Sequence, residues 1–320
     1  MSEIMTVLGP LPPAKLGWCQ FHEHIAITQG ISSDINPALC INDPEKSTAE
    51  VLGYKKAGGM TLVDAQPGGC CRSVSMLRTI SRLSGVSVIA STGFHKLDYY
   101  PQNHWIRTIS EKDLTAFYTE ELTGGMYTET DRAFQPARSE SRAGIVKTAL
   151  TAEGLTPVYR RLFLAAARAA VKTDRTMMIH IDPGSDPLML QDFLRDAGVS
   201  PSRMVFCHLD RAIPDFEIHK EIAFNGSFLE YDTIGRFKYH SDAQEIERIA
   251  ALVDAGFEDR LMLSLDTTAA RLKAYTPGAV GLDYILTVFA DELSHAGINR
   301  ALLRKTQHDN CLRAFNACTE

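Results

Sequence analysis

Short runs of apolar and β-branched residues recur along the chain at 16–21, 60–65, 86–91, 144–149, 176–181, 203–207, 227–231 and 261–265. They are near-continuous rather than alternating, which predicts strands buried on both faces, as in parallel pairing. Between them, amphipathic segments at 44–57, 73–84, 156–172, 186–197, 214–223 and 242–255 predict helices, and Gly58, Gly85, Gly198 and Gly256 stand where those helices must stop. Eight strands interleaved with helices predict an α/β fold, a (β/α)8 TIM barrel. A doubly wound open sheet would show similar strands, but no G-x-G-x-x-G follows the first run and eight strands need no second sheet. The least regular stretch, 93–142, holds Asp98-Tyr99-Tyr100-Pro101, a helix-like 113–122 and Gly124-Gly125; it reads as an extended third connection able to cover a site. No linker or low-complexity tract divides the chain, so a single domain over 1–320 is expected.

Composition narrows the function. With 45% hydrophobic and 22% charged residues, the chain has enough apolar side chains for a large core. A formal charge of -6, from 33 basic and 39 acidic residues, leaves no positive field for a nucleic acid. Apolar stretches such as 177–181 fall far short of the ~20 residues that cross a bilayer, and the N-terminus lacks an export pattern. The seven cysteines are irregularly spaced, Cys70 and Cys71 adjacent, without a C-x-x-C pair. A cytoplasmic protein with reduced thiols is expected, Cys19 and Cys207 serving as small buried hydrophobes. The pattern leaves the oligomeric state open, a homodimer being the commonest outcome among soluble enzymes.

Candidate chemistry gathers at strand ends. The first predicted strand leads into His22-Glu23-His24, the fourth carries Lys147, the fifth ends at His180, the sixth at His208 and the eighth at Asp266. In a barrel these ends converge on one face. Alternation puts His22 and His24 on the same side, where both imidazoles can reach one ion, while Glu23 points away. Any one of these histidines alone reads as a hydrogen-bonded structural residue, but four with an aspartate in matching positions read as a metal site. The other six histidines, His95, His104, His219, His240, His295 and His308, lack that placement and are expected mostly at the surface. A lysine inside a barrel is costly unless paired. Lys147 either forms a salt bridge to Asp266 or reacts with carbon dioxide to give a carbamate able to bridge two cations.

These residues carry a resemblance. Leu16-Gly17 before His22-Glu23-His24, Arg142-Ala143-Gly144-Ile145-Val146-Lys147, His180, His208-Leu209-Asp210 and Leu263-Ser264-Leu265-Asp266 make the whole chain resemble the phosphotriesterase-like group of the amidohydrolase superfamily. The resemblance implies two divalent ions, zinc first, manganese or cobalt otherwise. It places one ion on His22, His24 and Asp266 and the other on His180 and His208, with N-carboxylated Lys147 and a hydroxide bridging both. Asp266 would be the catalytic proton shuttle. The segments 59–69 and 91–96 look like the branch that opens phosphorylated sugar lactones, the phospho-furanose lactonases. Arg236, Lys238, Arg271 and Lys273 follow strands seven and eight, where barrels often bind phosphate; singly each reads as a solvated cation, together as a seat for a small anionic substrate. The expected activity is hydrolysis of a 5-phospho-aldono-1,4-lactone. The alternatives are a phosphotriesterase, a neutral-lactone hydrolase or a non-catalytic barrel that only binds.

Overall fold

A computed structural model describes residues 3–315. Its parallel strands are β1 Trp18–Glu23, β2 Gly59–Asp64, β3 Ser87–Gly93, β4 Ile145–Leu150, β5 Met177–Ile181, β6 Met204–Cys207, β7 Phe228–Tyr231 and β8 Leu261–Leu263, each beside its neighbour in sequence. Helices α1 Pro44–Lys56, α2 Val74–Ser84, α3 Glu111–Thr123, α4 Pro157–Thr173, α5 Pro187–Asp196, α6 Phe216–Phe224 and α7 Asp242–Asp254 follow the first seven strands in turn. This is the (β/α)8 barrel that the pattern predicts. Its helices start on side-chain caps, Asp43, Ser73, Thr156, Asp186 and Ser241, and the glycines at their ends adopt positive φ, 69° at Gly85 and 92° at Gly198. Among the described residues no helix is long and apolar enough to cross a membrane.

Inside the barrel, period-two alternation sets a floor and a mouth. Ile145, Met178, Val205 and Met262 belong to one interior cluster with Cys19, Phe21 and Cys207. Two residues further along the same faces stand Lys147, His180 and Ser264, with Asp266 beyond. Cys19 and Cys207 are fully buried hydrophobes, as expected. Beyond the predicted helices, two further helical segments, 285–295 and 300–314, end the described chain, and the second brings Cys311, Leu312 and Ala314 beneath the floor.

The first strand begins two residues later than its apolar run, because Gly17 turns the chain at φ 59°. Its pairing with β2 slips between Gln20 and Glu23, a β-bulge. The backbone N–H groups of Phe21 and His22 both donate to the Ser264 hydroxyl, at 2.9 and 3.0 Å. The extra residue lets His22 face inward although Phe21 before it does so too. The same seam is closed largely by side chains. Glu23 accepts from the N–H of Leu265 and Thr267 and from the Thr267 hydroxyl, while the Asp266 N–H donates to the His22 carbonyl at 3.1 Å. That demand ends β8 at Leu263, two residues before its apolar run does.

The third connection contains α3, a two-residue hairpin pairing Tyr127–Thr128 with Ala137–Arg138, and helical turns at Leu97–Tyr99 and Trp105–Arg107. Gly93 opens it at φ 101°, so close to β4 that a β-carbon there would lie 1.9 Å from the Lys147 carbonyl oxygen.

Candidate metal centre

At the carboxyl ends of the strands a cavity of about 260 Å³ opens, lined by His22, His24, His180, His208 and Asp266 together with His95, Tyr99 and Asp182. Its imidazoles are aimed by one carboxylate. Asp232, at the end of β7, accepts from His22 Nδ1 at 2.9 Å and from His208 Nδ1 at 2.6 Å, and also takes the His208 backbone N–H. Both Nε2 lone pairs are thereby turned into the cavity, the usual arrangement behind metal-bound histidines. His22 Nε2 lies 3.1 Å from Lys147 Nζ, and His208 Nε2 lies 2.8 Å from His180 Nδ1. Asp266 Oδ1 stands 3.5 Å from His24 Nε2 and 3.7 Å from His22 Nε2. His22, His24 and Asp266 form one compact group of ligand-type atoms. His208 and Asp266 occupy left-handed backbone, φ 66° and 49°, a strained conformation for such residues and one that clusters at functional sites.

The electrostatics suit cations. Burial, then the Lys147 amine, lowers His22 to about 4, and burial likewise lowers His180 to about 4. His208 is held well below its ordinary value, again by burial first and Arg211 second. All three imidazoles are neutral at pH 7 and offer lone pairs. Burial pushes the Asp266 carboxyl up, but Arg236, His208, His24 and Arg211 outweigh it and hold it well below the usual carboxylate range.

Lys147 is 1% exposed, and among the described residues no carboxylate lies within ion-pair distance of its amine. Its polar neighbours are His22 Nε2 and the Met178 sulfur at 3.4 Å. The salt bridge to Asp266 that one reading allowed is not formed, because Arg211 and Arg236 reach Asp266 Oδ2 instead, at 3.0 and 2.8 Å. A carbon dioxide adduct at this nitrogen would place an anionic carbamate beside the histidine cluster, where it could bridge cations held there.

Of the four cations expected around the substrate, the fold brings Arg236 and Lys238 to the cavity. Arg271 is buried beneath it, donating to the carbonyls of Leu265 and Ile234, and Lys273 pairs with Asp283 at 2.6 Å on an exposed side chain. Neither lines the cavity, because Arg271 is held by backbone carbonyls and Lys273 by Asp283. Arg211, overlooked in sequence, takes a place at the cavity beside Arg236. It was legible only as the residue three after His208. Asp232 had a better signal, an acid at the end of the one late strand not assigned a ligand. The remaining histidines are also mostly inside. His104, His219 and His240 are buried, His95 and His308 half-buried, and His295 exposed. His104 reaches the Thr130 carbonyl and His219 sits between the Tyr231 hydroxyl and the Ile213 carbonyl, partners invisible to local pattern. A larger cavity of about 620 Å³, bounded by 28–31, 69–75 and 128–132, contains none of the candidate ligands.

Comparison with known proteins identifies the family. The phospho-furanose lactonase of Mycoplasmopsis synoviae (strain 53) is 27% identical over 305 residues, 92% of this chain and 86% of that protein. The N-acetyltaurine hydrolase of Xenopus tropicalis is 29% identical over 351 aligned positions, 97% of this chain and 96% of that one. The crystal structure of a lactonase from Listeria monocytogenes superposes with a TM-score of 0.88 at 27% identity, covering 99% of this chain and 100% of that chain. Residues 2–315 match the description "Phosphotriesterase family", and this chain belongs to that family.

Proposed function

We propose that this chain, a hydrolase of the phosphotriesterase family, opens a small lactone carrying a strongly anionic group, in the first place a 5-phospho-aldono-1,4-lactone. One observation carries the reading: Arg211, Arg236 and Lys238 line the same cavity as the histidine cluster, and Asp266 is the carboxylate that Arg211 and Arg236 share there. Guanidinium groups match phosphate oxygens in two-point contacts. Tyr239 lies under all three cations, with Lys238 Nζ 4.7 Å from the ring centroid.

His22, His24 and Asp266 would hold one divalent ion and His180 and His208 the other, with Lys147, carboxylated, between them. Zinc is the first choice and manganese or cobalt the alternatives, since imidazole and carboxylate oxygen suit all three. Two bound cations lower the pKa of a water molecule toward neutrality and polarise a carbonyl oxygen. Within that frame Asp266, ionised and acceptor-only, takes the proton of the attacking water. The ring C–O bond breaks and Asp266 returns the proton to the departing sugar oxygen, leaving the hydroxy acid. Arg211 and Arg236 exchange part of their pairing with Asp266 for the substrate's phosphate, and Lys238 adds a third charge.

A second reading, hydrolysis of an acyl amide bearing a sulfonate, is favoured by the N-acetyltaurine hydrolase, which is as similar as the lactonase. The same cations would seat a sulfonate. The deciding experiment measures acid release by zinc- or manganese-loaded protein from sugar lactones with and without a 5-phosphate, from N-acetyltaurine and from a phosphotriester. Turnover confined to phosphorylated lactones is expected. Turnover of neutral lactones or the triester alone would overturn the substrate, and two ions per chain without any turnover would leave a binding protein.

A further inference from the structure

Behind the mouth, between β6, β7 and α7, lies a second cluster that the reaction does not use. Asp210, His240 and Glu245 each bring a ligand-type atom within 4.8 Å of the others, and all three residues are buried, Glu245 completely. His240 Nε2 stands 3.3 Å from Glu245 Oε2 and 4.0 Å from Asp210 Oδ2. Among the described residues neither oxygen of Glu245 receives a hydrogen bond, and neither does Asp210 Oδ1. The neighbouring cation is Arg248, its Nη1 3.8 Å from Glu245 Oε2 and directed at the Asp210 carbonyl, on a side chain 39% exposed. Two buried carboxylates with three bare oxygens require more compensation than one half-solvated guanidinium provides.

The neighbouring hydrogen bonds define what is missing. Thr233 gives both its N–H and its hydroxyl proton to Asp210 Oδ2. With its proton on Nδ1, 3.3 Å from the Ser241 carbonyl, which can only accept, the His240 ring would present a lone pair at Nε2. Nε2 itself lies 2.8 Å from the Thr233 oxygen and 3.3 Å from Glu245 Oε2. In that tautomer Nε2 would join both Glu245 oxygens and Asp210 Oδ1 as acceptors awaiting a cation, and a backbone carbonyl holding the far nitrogen of the ring is how metal-bound imidazoles are oriented. Four ligands ~2.1 Å from an ion in a tetrahedron stand roughly 3.4 Å apart. The observed 3.3 and 4.0 Å are close to that.

We propose that Asp210, His240 and Glu245 hold a third divalent cation, distinct from the pair at the mouth. One imidazole nitrogen and hard carboxylate oxygens suit manganese or zinc. Asp210 lies two residues beyond His208, Thr233 directly follows Asp232, and His240 closes the loop that carries Arg236 and Lys238. An ion here ties the ends of β6 and β7 together and fixes the basic loop over the cavity, whatever the substrate.

The test is an anomalous difference map at the manganese edge from crystals of the full chain grown with manganese(II). A peak between the three side chains is expected, lost in Glu245→Gln while any peaks at the mouth persist, with one ion fewer per chain by elemental analysis. A wild-type map without that peak overturns the proposal, whether or not the mouth is loaded, because a water or a proton shared by two carboxyls gives no such signal. A peak that survives both Glu245→Gln and His240→Ala overturns it equally. Should a variant fail to fold, the wild-type map alone decides.

Discussion

Asp266 is drawn toward the histidines by one oxygen and toward two guanidinium groups by the other. If those guanidiniums seat the substrate's anion, Arg211→Ala and Arg236→Ala should each raise KM for a phosphorylated lactone ~10-fold or more, with a smaller effect on kcat. Equal KM values for wild type and both variants in steady-state kinetics would remove the anion seat. Lys147→Ala should leave a folded barrel that binds markedly less metal, checked by circular dichroism and elemental analysis; full metal content would exclude a ligand role. At this scale the sequence was informative wherever a ligand-type residue extended an inward-facing row, as Ile145 leads to Lys147 and Met178 to His180. It was uninformative for cations on loops. Arg211 at the cavity and Lys273 on the surface look alike as letters, since only the path of the backbone separates them.

The bulge in β1 has a measurable consequence at the scale of elements. Ser264→Ala removes the acceptor of two buried N–H groups, and unsatisfied groups of this kind cost about 1–3 kcal/mol each. Stability should fall by ~2–5 kcal/mol in urea unfolding and zinc affinity should drop with it, because the bulge sets the direction of His22; unchanged zinc affinity would detach the bulge from the site. Gly93→Ala should be at least as disruptive, since β3 and β4 must separate to admit the methyl group. A variant as stable as wild type in the same assay would contradict that packing. Strands and most helices were legible because parallel strands buried on both faces and amphipathic helices imprint their periods. Strand ends were not. Glycine at 17 and the seam at 264–267 shift them by two residues, through contacts that join positions more than 240 residues apart.

Across the whole molecule, buried histidines and buried carboxyls oppose one another in the acid response. His22, His104, His180 and His219 are each lowered from 6.5 to about 4, chiefly by burial. At these histidines an unfolded chain binds more protons than the fold between those limits, so their contribution to the stability of the metal-free protein is full above pH 6.5 and is lost as pH drops toward 4. The slope is ~1.4 kcal/mol per unit for each such group. Buried carboxyls act in the opposite sense over the same window: burial raises Glu23 to about 8 and Asp210 to about 7 and holds Glu230 and Glu245 well above the ordinary range. Calorimetry of the metal-free protein beside a His219→Gln variant isolates one histidine: the Tm of wild type relative to the variant should decline as pH drops from 6.5 to 4, and a constant difference would contradict the assignment. The seam between β8 and β1 also bears on biosynthesis. His22 and His24 leave the ribosome early, yet the groups that fix their backbone, Ser264 and Thr267, are made some 240 residues later. At ~5–20 residues per second that is a wait of roughly 10–50 s. During translation the barrel stays an open sheet with an unpaired edge, and a chain cut short before the last strand has no means of assembling the complete cavity.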